Sequence, residues 1–121
     1  MGNAFVHIEL HSQAVGQAKE FYGQLFDWNL EDMPMQNTDE KYTMVNVGEG
    51  TGGGMMQHPE KSAPSAWTPF VLVDSVEKLT QKAKDLGATI LKDTSEVPEH
   101  GWYSIFQDPT GAILGLWENK S

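Results

Sequence analysis

The feature that most constrains this fold is an internal repeat, because the second half of the chain follows the first with an offset of 61 residues. Identical pairs at this offset include Val15 and Val76, Leu25 and Leu86, Gly50 and Gly111, and Gly54 and Gly115. Each half also shows one order of predicted elements, a strand, a helix and three strands. The sequence therefore predicts two βαβββ modules in a single domain over 1–121, with the repeat spanning 4–58 and 66–119. An unrelated α+β domain with coincidental spacing is the alternative.

The predicted elements of the first half follow from alternation, helical periodicity and turn residues. They are a strand over 5–11, a helix over 13–26 with Ser12 as its N-cap, strands over 28–30 and 42–47, and a loop over 33–41 that contains Pro34. Residues 48–54 are predicted to form a turn and a glycine-rich strand start, which Met55 and Met56 continue. The run Gly52-Gly53-Gly54 lacks the Lys and Ser/Thr of a phosphate-binding loop, so close backbone approach or strand curvature explains it better.

The predicted elements of the second half repeat this order. They are a strand over 67–73, a helix with apolar positions 76, 79, 83 and 86, a strand over 88–91, a loop over 93–101, a strand over 102–107 and a last strand over 112–118. Asp74 and Glu77 have the spacing of a capping box, and Gly87 lies where the helix should stop. Leu25 and Leu86 occupy equivalent positions on the two helical stripes, so both are predicted to be core residues.

Strand alternation assigns side chains to two faces. The face predicted to contact the helices carries Val6, Ile8, Leu10, Val71, Val73, Leu114 and Leu116. The opposite face carries Phe5, His7, Glu9, Gly54, Met56, His58, Thr68, Phe70, Ile113, Gly115 and Trp117. The fold prediction is therefore a curved, mainly antiparallel sheet with the helices on its convex face, and the concave face is a place for a small molecule.

Composition excludes several kinds of site and partner. The chain has no cysteine, which rules out disulfides, thiolate nucleophiles and cysteine-ligated metals. Its net charge of −9, with no basic patch, argues against nucleic acid and anionic membranes as partners. A neutral or cationic small molecule is compatible with that charge. The N-terminus shows no signal peptide and no apolar run is long enough to span a membrane, so a cytoplasmic location is expected.

Two motifs carry a family resemblance that extends along the whole chain. His7 precedes the pair Phe21-Tyr22 by fourteen residues, and the segment Leu25-Phe26-Asp27-Trp28 follows. Near the C-terminus, the hairpin sequence Asp108-Pro109-Thr110-Gly111-Ala112 leads to Gly115-Leu116-Trp117. These features resemble the glyoxalase/bleomycin-resistance/extradiol-dioxygenase superfamily, also called vicinal oxygen chelate proteins, and are closest to an uncharacterised glyoxalase-like subgroup. The superfamily includes isomerases, dioxygenases, thiol transferases and drug-binding proteins.

The resemblance also implies where a metal would be held. Metal-dependent members carry four ligands at corresponding strand positions, which here are His7, Gly54, Thr68 and Gly115. His7 is the one good ligand among them, because glycine offers no donor and a threonine hydroxyl is a poor ligand for a transition metal. No metal or other cofactor is therefore expected, and a divalent metal is the less favoured alternative.

The function predicted from these observations is binding of a small organic molecule on the concave sheet face. The predicted ligand contacts are His7, Glu9, Met56, His58, Thr68, Phe70, Trp102 and Trp117. The alternative is a lyase, isomerase or dioxygenase that uses His7 with Glu9, and a module acting mainly through protein contacts is a third. His11 is expected at the surface. The edges of small sheets favour pairing, so a homodimer is expected.

Overall fold

The computed structural model describes residues 2–34 and 41–120. Its elements are β1 (Phe5–Ser12), α1 (Val15–Leu25), β2 (Asn29–Pro34), β3 (Lys41–Asn46), β4 (Gly53–Gln57), β5 (Ala66–Leu72), α2 (Val76–Asp85), β6 (Thr89–Val97), β7 (Gly101–Gln107) and β8 (Ile113–Asn119). The chain divides into two compact units, residues 7–68 and residues 1–6 with 69–121. Neither helix in the described ranges has the length and apolar character needed to cross a membrane.

The first unit is built from strands that pair in the order β2-β3-β4-β1. β1 runs parallel to β4, and the other two pairs are antiparallel. Its core consists of Leu10, Val45 and Met55, with Val15 and Tyr22 of α1 packed against it. The apolar stripe of α1 therefore covers one face of this sheet, and the alternate strand residues lie on the other face.

The second unit uses the same plan, with strands in the order β5-β8-β7-β6. β5 is parallel to β8, whereas β8–β7 and β7–β6 are antiparallel. Val73, Val76 and Leu116 form its core. The buried hydroxyls of Thr80 on α2 and Ser104 on β7 lie 2.7 Å apart, so the polar atoms at this helix–sheet contact are satisfied.

The strand register repeats at the offset read from the sequence. Glu9 lies opposite Gly54 in the first unit, and Phe70 lies opposite Gly115 in the second. Both the α+β class and the two mainly antiparallel βαβββ modules are confirmed. Gly53 has the role expected of the glycine run, because a Cβ there would stand 1.7 Å from the carbonyl oxygen of Ile8.

Both predicted helix caps are wrong by one or two residues. Ser12 is the last residue of β1, and its Oγ accepts a hydrogen bond from the backbone N–H of Ala14 instead of capping α1. The N-cap of α1 is Ala14, which makes no side-chain cap. At α2 the cap is Ser75, whose Oγ accepts from the N–H of Lys78. Before α2, Asp74 and Ser75 are both suitable capping residues, and the backbone places Ser75 at the cap. Before α1, Ser12 lies two residues ahead of the cap position, which falls on Ala14.

Two predicted loops are partly strand. β2 continues to Pro34, which is compatible with proline because β2 lies at an end of the strand order and Pro34 is its last residue. The rest of that predicted loop up to Lys41, residues 35–40, lies outside the described residues. β6 extends through Val97, with register irregularities between Ile90 and Ser95 that disturb the alternation expected of a strand.

The prediction that Leu25 and Leu86 are core residues is wrong. Leu25 is 55% exposed and Leu86 is 71% exposed. Leu25 is the last residue of α1, and Leu86 is the C-cap residue after α2 has ended. The helical stripe therefore stops before these positions. Gly87, with φ of 105°, ends the second helix as expected.

Candidate active or ligand-binding site

The largely buried carboxylate of Glu9 connects three other side chains of the first unit. The Oε2 atom of Glu9 accepts a hydrogen bond from the Tyr42 hydroxyl at 2.8 Å and lies 3.2 Å from His7 Nε2. Its other oxygen, Oε1, lies 2.7 Å from His11 Nε2. His7 Nε2 is in turn 2.7 Å from the Tyr42 oxygen. We call this group of His7, Glu9, His11 and Tyr42 the Glu9 cluster.

The Glu9 cluster is polar but mostly shielded from solvent. The side chains of Glu9 and His11 are 13% and 9% exposed, whereas that of His7 is 29% exposed. His7 is therefore the member of this trio that a molecule in solution meets most readily. The cluster arises from alternation along β1, which puts residues 7, 9 and 11 on one face of the strand.

Two opposing effects determine the ionisation of the cluster. Burial acts to raise the pKa of Glu9, but hydrogen bonds from His11, His7 and Tyr42 outweigh it and lower that pKa to about 2. Burial and the negative charge of Glu9 raise the pKa of Tyr42 well above its ordinary value. At neutral pH the cluster thus contains an ionised carboxylate held by a protonated tyrosine.

Tyr42 reaches Glu9 because the residue between them is glycine. Gly54 lies opposite Glu9, and a Cβ at position 54 would stand 1.8 Å from the Tyr42 oxygen and 2.0 Å from its Cζ. The ring of Tyr42 therefore occupies the space into which any side chain at position 54 would project. Tyr42 was missed by the sequence analysis, although the presence of Tyr103 at the repeat offset was a usable signal.

The second unit shows an apolar version of the same arrangement. Phe70 replaces Glu9 at the equivalent position, and its ring lies against Gly115, where a Cβ would stand 2.2 Å from Phe70 Cδ2. The ring of Tyr103, the equivalent of Tyr42, meets Phe70 edge to face at 6.4 Å between centroids. Both glycines at the expected metal positions are therefore covered by an aromatic ring of their own unit.

The family model described as the Glyoxalase/Bleomycin resistance protein/Dioxygenase superfamily matches residues 4–116. The chain belongs to this superfamily. Its curated relatives include the protein named "Putative glyoxylase CFP32" from Mycobacterium tuberculosis, which is 28% identical over 114 residues. That match covers 92% of this chain but 44% of the relative, so the chain spans less than half the length of this superfamily member.

Solved structures of low sequence identity share the superfamily fold. The hypothetical protein BH1468 from Bacillus halodurans matches with a TM-score of 0.71 and 16% identity, covering 100% of this chain and 97% of that one. Methylmalonyl-CoA epimerase from Mycobacterium tuberculosis matches with a TM-score of 0.68 and 11% identity, covering 97% and 88%. A mutant of 4-hydroxymandelate synthase from Streptomyces coelicolor matches with a TM-score of 0.61 and 12% identity. This match covers 98% of this chain and 48% of the synthase chain. These structural matches establish the fold.

The metal site known from metal-dependent members of this superfamily does not fit the residues of this chain. Gly54 and Gly115 offer no donor atom, and the space beside each is taken by Tyr42 or Phe70. Within 2–34 and 41–120, no three His, Asp or Glu side chains are arranged to hold a metal ion. In particular, Glu9 already accepts hydrogen bonds on both of its oxygens.

His11 and His58 lie next to each other at one end of the Glu9 cluster. The expectation that His11 lies at the surface is wrong, because β1 continues past it to Ser12 and His11 is 7% exposed. His58 follows β4, and its ring meets that of His11 edge to face at 5.8 Å. His58 Nδ1 accepts a hydrogen bond from the backbone N–H of Glu60. His58 therefore borders the Glu9 cluster without joining its hydrogen bonds.

The other predicted ligand contacts lie in different surroundings. Met56 is half-buried beside His11 on the neighbouring strand, and Thr68 is buried on β5. Trp117 lies opposite Tyr103 on the face that carries Phe70. Trp102, by contrast, packs against the core beneath α2, and the Lys120 Nζ atom lies 5.0 Å from the centroid of its ring. Trp102 is thus separated by strand alternation from Phe70 and Trp117.

One open depression lies away from these residues. It has a volume of about 650 Å³, lies between α2 and β6, and is lined by residues such as Glu77, Lys84 and Asp93. Its lining residues are largely exposed and carry none of the predicted site residues. Its location therefore does not alter the choice of the Glu9 cluster as the candidate site.

Proposed function

We propose that this chain binds a small organic molecule on the sheet face of the first unit that carries His7 and Tyr42, without a metal at the superfamily positions. The observation that carries the proposal is the Tyr42 ring, which fills the space beside Gly54 and brings its hydroxyl to Glu9. In this proposal, a polar group suited to ligand binding lies where metal-dependent superfamily members have a metal ligand. His7 is the proposed polar contact because its side chain is the most exposed of the His7–Glu9–His11 trio.

The neighbours of the cluster indicate what kind of molecule fits. Met33 lies opposite Tyr42, and Met44 lies opposite Gly54, so both share the face of the cluster. Their side chains are 43% and 42% exposed. Thioether side chains form soft apolar surfaces that adapt to varied ligands. Together with the charge of Glu9 and the net charge of −9, they favour an apolar molecule with a neutral or cationic polar group over an anion.

The aromatic face of the second unit supports the same class of ligand. Phe70, Tyr103 and Trp117 lie on that face, and flat apolar groups pack well against such rings. Met56, His58 and Thr68 remain proposed contacts on the face of the first unit. Phe70 and Trp117 remain proposed contacts for a flat group on the face of the second unit. Trp102 is the least favoured of the ligand contacts predicted from the sequence, because it packs against the core beneath α2.

Binding is tested by thermal stabilisation with three compounds that differ in charge, benzylamine, benzyl alcohol and benzoate. A ligand that binds the folded state raises the melting temperature as its concentration increases. We expect the amine or the alcohol to stabilise the protein and benzoate to have the smallest effect. His7→Gln should reduce the shift, whereas His100→Gln, at an exposed histidine in the second unit, should not. Equal shifts in wild type and His7→Gln, or no shift across a wider neutral and cationic set, would contradict the proposal.

An enzymatic function is the second candidate, and the contact between His7 and Glu9 is the observation that favours it. With its pKa lowered to about 2, Glu9 is a weak proton acceptor. Proton transfer would therefore belong to His7, with Glu9 and Tyr42 orienting it. Turnover assays on methylglyoxal–thiol adducts and catechols, with and without divalent metals, distinguish a lyase, isomerase or dioxygenase from a binding protein. Turnover that is lost in His7→Gln would establish the enzyme.

We also propose that the protein is a homodimer. Apolar side chains near the end of α1 remain uncovered, since Phe21, Leu25 and Phe26 are 59%, 55% and 46% exposed. Burial of such a surface is favourable and is a common reason for self-association. Light scattering at micromolar concentration should return about twice the chain mass of 13.4 kDa. A mass equal to that of one chain contradicts the dimer but not the binding proposal.

A further inference from the structure

Hydrogen positions in the Glu9 cluster can be assigned by counting donors. The Oε2 atom of Glu9 accepts from the Tyr42 hydroxyl and its Oε1 atom lies 2.7 Å from His11 Nε2, so the carboxylate acts as the acceptor in these contacts. The 2.8 Å contact between Tyr42 and Glu9 Oε2 therefore uses the single hydroxyl hydrogen of Tyr42. The 2.7 Å contact between His7 Nε2 and the Tyr42 oxygen then needs a hydrogen from His7. The same argument gives His11 a hydrogen on Nε2, which donates to Glu9 Oε1.

The distances show that His7 is connected to Glu9 mainly through Tyr42. The direct contact from His7 Nε2 to Glu9 Oε2 is 3.2 Å, whereas the two contacts through the tyrosine oxygen are 2.7 and 2.8 Å. Shorter contacts of this kind are the stronger hydrogen bonds, particularly when one partner is charged. The near-parallel rings of His7 and Tyr42, with centroids 6.5 Å apart, hold this arrangement in place.

We infer that Tyr42 is a positioning residue that fixes the neutral imidazole of His7 as the Nε2–H tautomer. This inference rests on the proposed role of His7 at the site, and it adds the chemical form in which His7 acts. In that tautomer Nε2 is committed to the interior of the cluster as a donor, and Nδ1 has the form of an acceptor.

Ring nitrogen NMR tests the inference without any ligand. Uniformly ¹⁵N-labelled protein is studied in mildly alkaline buffer, where an ordinary histidine is neutral, and His7 is assigned with the His7→Gln variant. Long-range ¹⁵N–¹H spectra distinguish the two neutral tautomers. We expect the Nε2–H form for His7 and His11 in wild type. Tyr42→Phe should lower the ratio of Nε2–H to Nδ1–H in His7 about fivefold, the effect of losing about 1 kcal/mol of hydrogen bonding.

The matched control is Tyr103→Phe, because Tyr103 occupies the position equivalent to Tyr42 in the other module. It should leave the His7 spectrum unchanged. Tyr42→Phe keeps the ring over Gly54, so loss of the fold is not expected, and Glu9→Gln provides a second variant that should also weaken the tautomer preference. An Nδ1–H form of His7 in wild type, or an unchanged ratio in Tyr42→Phe, would overturn the inference. Because no ligand is present, failure of the ligand screen leaves this result intact and its own failure leaves binding untouched.

Discussion

The two modules have the same backbone register but differ in the chemistry that covers an equivalent glycine. In the first module, Tyr42 lies over Gly54 and donates to the carboxylate of Glu9. In the second, the ring of Phe70 lies over Gly115. Phe70 is 3% exposed and occupies the position of Glu9, so one glutamate in the repeat has been exchanged for a buried aromatic ring.

This difference separates a structural requirement from a functional one. Both modules need a large side chain beside the glycine, because an uncovered glycine would leave a gap in the packed face. A buried carboxylate with three donors is costly to keep and is not needed for packing, since Phe70 fills the equivalent space without it. Packing alone therefore does not account for the polar version in the first module, which agrees with the proposed role in binding.

The largest expected effect comes from removing the aromatic cover of the second module. Phe70→Ala should lower the free energy of unfolding by about 3–5 kcal/mol, as for other buried phenylalanines. Phe70→Glu should be at least as damaging, because Thr68 and Leu72 stand where His7 and His11 supply hydrogen bonds to Glu9. Denaturant titration measures both changes. If Phe70→Glu were as stable as wild type, the contrast between the two modules would not hold.

Acid should affect the first module through Glu9. The folded pKa of Glu9 is about 2, below its ordinary value of 4.5, so its contribution is present above pH 4.5 and is lost as the pH falls toward 2. At about 1.4 kcal/mol per pKa unit the loss is on the order of 3 kcal/mol. Asp32 and Asp108 also have lowered pKa values, so wild type must be compared with Glu9→Gln. Parallel stability curves for the two proteins over this interval would contradict the ionised cluster.

Adding a methyl group at either glycine should destabilise its own module. Gly54→Ala forces the Tyr42 ring aside, and Gly115→Ala forces Phe70 aside, each at a cost of about 1–3 kcal/mol. Thermal denaturation should also show coupling, because Gly54→Ala in a Tyr42→Ala background should cost much less than in wild type. Gly16→Ala in α1 is the control, since a Cβ there meets nothing within 4 Å. Additive costs in the double variant would show that Tyr42 does not fill the space beside Gly54.

The sequence was sufficient to predict the two modules but not the Glu9 cluster. Alternation along β1 correctly grouped His7 with Glu9, and the repeated Gly54 and Gly115 lie at equivalent places in the strand register. Tyr42 was missed because its contact depends on a glycine on one strand and a carboxylate on the next, and such diagonal reach across a sheet leaves no periodic pattern. His11 was misplaced because β1 is one residue longer than its pattern suggests, so His11 lies inside the strand, opposite Met56.

The smallest expected effect is at Leu25 and Leu86, the pair that the repeat marked as core. Because these side chains are 55% and 71% exposed, each change to Ala should alter the free energy of unfolding by less than about 0.5 kcal/mol, as for other exposed positions. Met55 and Leu116 are an equivalent pair that is truly buried, at 0% and 6% exposure, and their changes to Ala should cost about 2–5 kcal/mol. The denaturant midpoints of the four variants therefore test whether burial, and not an equivalent position in the repeat, determines the loss of stability. If Leu25→Ala alone were strongly destabilising and the effect weakened on dilution, its side chain would be buried by association, which would connect the first module to the proposed dimer.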